Sequence, residues 1–171
     1  MPVRRLDHQG AGATSIERLD EVSSEALIGL ALAQHAAFRE TLPRLIGLAR
    51  EVEATTPDRA DAPRGIADLL AELAASQEEH MLREEYCIFP LMQDGPSPRL
   101  SAGIAVMSAE HDDNIQFLMR MAQLSGGYRA PAGASEIWVA LCIGLERLAD
   151  DLVAHIYAEE RVLFPRYAQQ A

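Results

Sequence analysis

The sequence predicts an all-α protein, an antiparallel up-and-down four-helix bundle, and three observations lead to this prediction. Ala and Leu dominate a composition that is 49% hydrophobic, whereas aromatic residues make up only 5%, and this balance favours helices over strands. Apolar residues recur at helical spacing along four long segments. Short stretches rich in Pro, Gly, Ser, Thr and Asp separate these segments, as expected for helices joined by short loops.

The first two helices are predicted from their apolar stripes and the break between them. The first is expected at about 24–52, with a stripe through Leu27, Leu30, Phe38, Leu42 and Leu45. The segment TTPDRADAP ends it, and Pro63 stands where a first-turn proline is tolerated. The second helix is expected at about 63–92, with a stripe through Leu69, Leu70 and Leu73. QDGPSPR then breaks the chain.

The third and fourth helices are predicted in the same way. The third is expected at about 98–124, with Ile104, Met107, Ile115, Leu118 and Met121 on one side. SGGYRAPAGAS ends it. The fourth is expected at about 135–167, with a stripe through Trp138, Leu141, Leu145, Leu148 and Leu152. Together the four helices form one predicted domain at 23–171, preceded by an N-terminal arm at 1–22 with one helical turn at SIERLDEV.

Charge and cysteine content exclude several classes of function. The formal net charge is -11, which disfavours binding to nucleic acid phosphates and to anionic membranes. Cys87 and Cys142 form no disulfide framework, CxxC redox pair or thiolate metal site. The chain begins without an apolar segment behind its arginines, and no run of about 18 apolar residues occurs. We therefore expect a soluble cytoplasmic protein.

Four of the five histidines fall one on each predicted helix, and their spacing repeats. They form two similar hairpins, His35 with His80 and His111 with His155, in which the second histidine follows the first after 45 and 44 positions. The second histidine is followed four residues later by a glutamate, Glu84 in one hairpin and Glu159 in the other. The fifth histidine, His8, lies in the predicted arm, where we expect it to face solvent.

The repeat predicts a buried metal site. Residues four apart share one face of a helix, and here that face carries the apolar stripe, so the His and Glu side chains point into the bundle. Two carboxylates buried among apolar groups need a compensating positive charge, and a metal supplies it. The predicted ligands are His35, His80, Glu84, His111, His155 and Glu159. These nitrogen and oxygen donors are enough for two ions with open positions; they favour non-heme iron, with manganese and zinc as alternatives.

Several neighbours of these ligands have more than one interpretation. Cys87 and Cys142 are expected in the core, with Cys87 alternatively an oxidation-sensitive neighbour of the site. Met107 and Ile115 are expected to pack in the core, although they could instead line the open side of the metals. Glu110 and Asp151 are acids that usually face solvent, and the alternative is that they hydrogen-bond the ligands or carry protons. The Phe-Pro pair after each glutamate is expected to close the bundle end.

The sequence resembles the hemerythrin-like proteins with an HHE cation-binding domain, and more narrowly the di-iron iron-sulfur cluster repair family. The resemblance covers about 26–166 and rests on HAAFRETLPRLIGLAREVE, EEHMLREEYCIFPLM, EHDDN, YRAP, Trp138 and DLVAHIYAEERVLFPR. It implies a four-helix bundle in which the four paired histidines are terminal iron ligands, and Glu84 and Glu159 bridge the two irons, which are oxo-bridged when oxidised. It further implies a role in nitric oxide and oxidative stress.

The sequence departs from the family pattern in four respects. Oxygen-carrying hemerythrins have a second histidine at the position of Ile115, so reversible oxygen carriage is disfavoured. An extra histidine of the family is replaced by Thr56, and an asparagine that commonly follows the last bridging glutamate is replaced by Glu160. Repair proteins usually begin with a small cysteine-bearing domain, which this sequence is expected to lack.

The leading functional hypothesis is a di-iron protein of the nitrosative and oxidative stress response. It would bind or reduce NO, donate iron to damaged iron-sulfur centres, or both, so NO, O2 and iron-sulfur proteins are the expected partners. The alternatives are a hemerythrin-like O2 or NO carrier or sensor, and a cytoplasmic buffer of NO or iron without turnover. A ferritin-type oxidase fits less well, because those bundles use Glu-x-x-His rather than His-x-x-x-Glu.

Overall fold

Helices make up most of the chain in the computed structural model, which describes residues 16–168. Five α-helices are present in this range: α1 (Ser24–Thr55), α2 (Ile66–Arg83), α3 (Phe89–Gln93), α4 (Pro98–Leu124) and α5 (Glu136–Ala158). The described residues contain no strand. The predicted all-α class is therefore confirmed, as is the four-helix bundle, because α2 continues into α3 and the two count as one long helix.

Two π-helical turns occupy matching positions in the chain. Glu84–Ile88 joins α2 to α3, and Glu159–Leu163 extends α5 into a short 3-10 helix at Phe164–Arg166. Each π turn begins at the glutamate that follows a histidine by four residues. A π turn inserts an extra residue into the helical repeat, so the residues after each glutamate are displaced from the face that a regular helix would give them.

Local sequence signals set the helix starts. Ser23, Ser97 and Ser135 each accept a hydrogen bond from the backbone N–H three residues later, at distances of 3.1, 3.2 and 3.3 Å, which is the N-cap interaction typical of serine. The second helix begins later than the sequence predicts, at Ile66 rather than near residue 63, because Gly65 adopts the left-handed conformation with φ 80°.

Each long helix packs against the next along the chain, and α5 returns to α1. The core divides into two apolar clusters, each with members from all four long helices. The upper cluster includes Leu45, Leu70, Leu118 and Leu148, and the lower cluster includes Leu27, Phe89, Met107 and Leu163. One member of the predicted first stripe is misplaced, because Leu30 is 39% exposed; it lies three residues from buried Leu27, toward the edge of that face.

The start of the described chain is held to the lower end of the bundle. Ile16–Glu21 forms a 3-10 helix where the sequence predicts a helical turn. The Arg166 guanidinium donates hydrogen bonds to the carbonyls of Leu19, Asp20 and Val22. Residues 1–15 of the expected arm, including His8, lie outside the described residues. No helix in 16–168 combines the length and the apolarity that a membrane crossing requires.

Candidate metal centre

Six buried polar side chains meet at one level of the bundle, between the upper and lower clusters. They are the six ligands predicted from the sequence: His35, His80, Glu84, His111, His155 and Glu159. None of them exposes more than 2% of its surface. Each helix brings its histidine to this level because the apolar stripe that buries the helix continues on both sides of it. The structure therefore brings together all the residues of the predicted set.

Each glutamate lies between the two histidines of its own hairpin. Glu84 Oε2 is 3.2 Å from His35 Nε2 and 3.4 Å from His80 Nε2. Glu159 Oε2 is likewise 3.2 Å from His111 Nε2 and 3.4 Å from His155 Nε2. The two hairpins thus present the same donors with the same distances. This agreement gives the centre an approximate twofold symmetry that the repeated spacing predicts.

The donor atoms also converge across the hairpins into two overlapping groups. One group comprises His80, His111, His155 and Glu159, and the other comprises His35, Glu84, His155 and Glu159. Within each group, one donor atom from every residue lies within 4.8 Å of the others. Donors at that separation can surround a single ion. His155 and Glu159 belong to both groups, so they stand between two possible metal positions.

An outer ring of side chains fixes the orientation of the imidazoles. Glu85, Glu110 and Glu160 place a carboxylate oxygen 2.8–2.9 Å from Nδ1 of His35, His80 and His111. The amide oxygen of Gln34 is 3.1 Å from Nδ1 of His155. Carboxylate and amide oxygens accept, so each Nδ1 carries the proton and each Nε2 turns its lone pair inward.

This ring links every helix to the next. The partner of each histidine comes from the neighbouring helix in the cycle α1, α2, α4, α5. Two arginines extend the ring: Arg39 binds Glu85 at 2.8 Å, and Arg83 binds Glu110 at 2.6 Å. Phe89 and Phe164 stack on the rings of His35 and His111 with centroids 6.1 and 5.9 Å apart, so the two Phe-Pro pairs close the lower side as predicted.

Burial sets the protonation of the inner groups. It raises the pKa of Glu84 to about 7 and that of Glu159 to about 8, because desolvation penalises the charged carboxylate. Burial also lowers the pKa of His80, and that of His155 well below its ordinary value. All four shifts disfavour charge at the centre, which is the expected result when ionisable groups are buried without a counter-ion.

Several buried nitrogen and oxygen atoms of the centre lack a hydrogen-bond partner, which is the pattern that a metal site would leave. Both carboxylate oxygens of Glu84 and of Glu159, and Nε2 of His35 and His155, are buried without a hydrogen-bond partner. Buried polar atoms of native proteins are nearly always paired, so such a group of orphaned atoms indicates a missing partner. Once the two glutamates are deprotonated, their oxygens accept, as the neutral imidazole nitrogens do, and a cation is the partner that satisfies acceptors from several directions.

The structure corrects or resolves the interpretation of several neighbours. Cys87 was expected in the core but is exposed, because the π turn places Ile88 inward in its stead; Cys142 is buried as predicted. Glu110 hydrogen-bonds the predicted ligand His80, the less favoured alternative, whereas Asp151 is exposed. Met107 packs in the lower cluster and Ile115 against the upper cluster, as expected for core residues.

Three members of the outer ring were not singled out from the sequence. Glu85 and Glu160 each follow a histidine by five residues, and their matched places in the two hairpins were the available signal. Gln34 precedes His35 just as Glu110 precedes His111. The repeat thus marks these positions as matched pairs, whereas the histidine that each one contacts is seen only in the folded structure.

Comparison with known proteins agrees with this geometry. Residues 27–167 match the family described as hemerythrin HHE cation binding domain. The chain belongs to this family. Membership of a hemerythrin family of cation-binding domains implies a metal-binding site, and the buried His/Glu centre is the candidate for it.

Curated relatives within this hemerythrin family carry the name iron-sulfur cluster repair protein YtfE. The chain is 38% identical over 132 residues to the protein of Pectobacterium atrosepticum, and 39% identical over 132 residues to those of Enterobacter sp. and Yersinia pseudotuberculosis. In each case the match covers 77% of this chain and 60% of the relative. The match thus spans well under two thirds of the length of these repair proteins.

Proposed function

We propose that the centre holds two non-heme iron ions. The proposed terminal ligands are His35, His80, His111 and His155, and the proposed bridging ligands are Glu84 and Glu159. The observation that carries the proposal is the set of orphaned acceptor atoms converging from both hairpins. Iron is favoured over a structural zinc site because the donors are nitrogen and oxygen only and are too few to close two coordination shells.

The residues of this chain prepare such a centre before an ion arrives. The outer ring keeps each Nδ1 protonated and each Nε2 available, so the imidazoles need not reorient. Glu84 and Glu159 lose their protons on binding and supply the negative charge that two cations require. When bound, iron would supply a redox-active Lewis acid able to take up a small diatomic ligand at an open position.

We further propose that the protein acts in the cytoplasm in the response to nitrosative and oxidative stress. It would bind or reduce NO, or donate iron to damaged iron-sulfur centres. Support comes from the identity to proteins named for iron-sulfur cluster repair and from a site whose donor set suits iron. Because the match spans only 60% of those relatives, the repair activity of the whole protein is carried to this chain as a proposal.

Mixing experiments with the reduced, iron-loaded protein test this function. Rapid loss of NO with no stable O2 adduct is the result expected for the nitrosative-stress role. Transfer of iron to a chelator, without unfolding as judged by circular dichroism, is the result expected for iron donation. If the protein reacts with neither NO nor a chelator within minutes, the proposed function is wrong even if iron is bound.

One observation favours the alternative of an O2 or NO carrier, a sensor or a buffer without turnover. All six proposed ligands are buried, with at most 2% of their surface exposed, and burial opposes the release of an ion to a partner. For this alternative we expect iron to resist the chelator, while NO or O2 binds reversibly and is recovered unchanged.

A further inference from the structure

Two amide side chains are buried close to the centre and belong neither to the ligands nor to the outer ring. Gln77 of α2 and Asn114 of α4 each expose 1% of their surface. Both Nε2 and Oε1 of Gln77, and Oδ1 of Asn114, are buried without a hydrogen-bond partner. Leaving a buried amide unpaired costs about 1–3 kcal/mol, so these two groups need a physical explanation.

Helix geometry places the two amides on the same side of the ligand level. Gln77 lies three residues before His80, and Asn114 lies three residues after His111. Because α2 and α4 run antiparallel, both positions are one turn from the ligand level toward the upper cluster. The two histidines are themselves neighbours, with ring centroids 4.7 Å apart and Nε2 atoms 3.1 Å apart. The two amide positions therefore lie one helical turn from this histidine pair, on the side of the upper cluster.

The opposite face of the centre is apolar at the matching positions. Phe38 lies three residues after His35, and Leu152 lies three residues before His155. Both are buried in the upper cluster, and the Phe38 ring packs on that of His155 with centroids 5.6 Å apart. The approximate twofold symmetry of the ligands is thus broken one turn above them, where one face carries two amides and the other carries hydrocarbon.

We propose that Gln77 and Asn114 form a hydrogen-bonding subsite for a small exogenous ligand of the centre. The ligand class is a molecule of two or three heavy atoms whose outer atom accepts a hydrogen bond, such as NO, O2 or azide. The unpaired Nε2 of Gln77 is the donor available to that atom, and the unpaired Oδ1 of Asn114 can accept from a ligand that carries a proton. The Phe38 and Leu152 face offers neither group. This inference rests on the proposed metal centre, and it assigns the α2 and α4 face as the side on which the ligand is held.

Azide is a suitable probe, because its binding to iron can be followed by absorbance and its stretching band by infrared spectroscopy. In the oxidised, iron-loaded protein we expect the azide band to shift when H2O is replaced by D2O, as N–H donors become N–D. Gln77→Leu removes the unpaired donor, so it is expected to weaken azide binding by about tenfold and to reduce or abolish the isotope shift. Asn114→Leu removes an acceptor and should keep the isotope shift. Without their unpaired amides, the metal-free variants should melt at a higher temperature than the unaltered protein.

Leu152→Met is the matched control, since it lies one turn from His155 on the other face and conserves volume. It should leave both the azide affinity and the isotope shift unchanged. Equal weakening by Leu152→Met, or an azide affinity of Gln77→Leu within twofold of that of the unaltered protein, would overturn the inference.

Iron content separates failure of the subsite from failure of the centre. An unaltered protein that binds no iron refutes the proposed function itself. An unaltered protein that binds iron and azide but shows no isotope shift refutes the subsite alone. This last comparison requires no substitution, so it decides the question even if a variant fails to fold or to retain iron.

Discussion

The two hairpins agree at the ligands and differ around them. Glu84 and Glu159 lie at the same two distances, 3.2 and 3.4 Å, from the histidines of their own hairpins. The outer ring already departs from this symmetry, because Glu110 carries a charge where Gln34 is neutral. One turn toward the upper cluster, the two faces share no chemistry: two amides lie on one face and two apolar residues on the other. The duplicated part of the sequence thus specifies the candidate metal centre, and the unduplicated part makes its two sides chemically different.

The largest expected effect comes from breaking the symmetry at the ligands. His155 belongs to both groups of converging donors, whereas His35 belongs to one. In each of these histidines only Nε2 is free to bind an ion, because Nδ1 is hydrogen-bonded to the outer ring. We therefore expect His155→Ala and His35→Ala each to lose one ion and to keep the other. Iron content after anaerobic loading and desalting measures both losses. Loss of both ions in His155→Ala alone would mean that the overlapping groups, rather than the twofold arrangement, describe the site.

A smaller effect is expected from the outer ring. Glu85→Ala removes the carboxylate that holds His35 and leaves Arg39 with only Glu78, so iron affinity should fall by roughly 10- to 100-fold. Gln34→Ala removes a neutral acceptor from His155 and should cost less than Glu85→Ala. Competition with a calibrated chelator gives both affinities. A larger loss for Gln34→Ala would show that charge in the ring does not strengthen the ligands.

The metal-free protein should lose stability as pH rises above neutral. Folding raises the pKa of Glu84 to about 7 and of Glu159 to about 8, so the folded state holds more protons than the unfolded state from about pH 4.5 upward. The lowered pKa values of His80 and His155 act in the opposite direction, but only below about pH 6.5. Between about pH 6.5 and 8 the carboxyl effect remains, and the free energy of unfolding should fall by roughly 1–2 kcal/mol.

Urea unfolding at pH 6.5 and pH 8 measures this change. Glu159→Gln cannot ionise at that position, so the metal-free variant should show a shallower decline. A free energy of unfolding that rises over this interval in the unaltered protein would contradict the assignment of buried, protonated carboxyls.

Glycine substitutions in α1 and α5 have the smallest expected effect. They should change the stability of the fold and leave iron binding unchanged. A Cβ at Gly144 would lie 2.5 Å from Leu45 Cδ2, whereas a Cβ at Gly29 meets nothing within 4 Å. Gly144→Ala should destabilise the protein by about 1 kcal/mol, and Gly29→Ala should stabilise it by about 0.5–1 kcal/mol. Thermal unfolding measures both. Neither variant should change iron affinity, because neither position lies at the ligand level.

The fold, and the meeting of six polar side chains at one level of the bundle, could be predicted because both follow from periodicity. The apolar stripes fix which face of each helix is buried, and any histidine or glutamate on that stripe must enter the core. The placement of Cys87 could not be predicted in this way, because a π turn changes the helical repeat at Glu84 and nothing in the local sequence marks it. Apolar spacing predicts which residues are buried only as long as the helical repeat stays regular.

Side-chain contacts between helices also could not be predicted from the spacing of apolar residues. The bond from Glu85 to His35 joins residues 50 positions apart, and its existence depends on the rotation of two helices about their axes. The unpaired state of Gln77 and Asn114 likewise depends on what the packed core fails to offer them. A polar residue on a buried stripe can be recognised from sequence, whereas its partner can be found only in the folded protein.

The central claim is that each hairpin supplies half of a two-iron site, and an anaerobic titration of the metal-free protein with Fe(II) tests it most directly. We predict saturation at about two irons per chain, followed on oxidation by the absorption of a bridged iron pair. His80→Ala and His155→Ala, one from each hairpin, should both fail to give that absorption. Saturation at one iron, preferential retention of zinc, or a bridged-pair absorption that survives either substitution would contradict the claim.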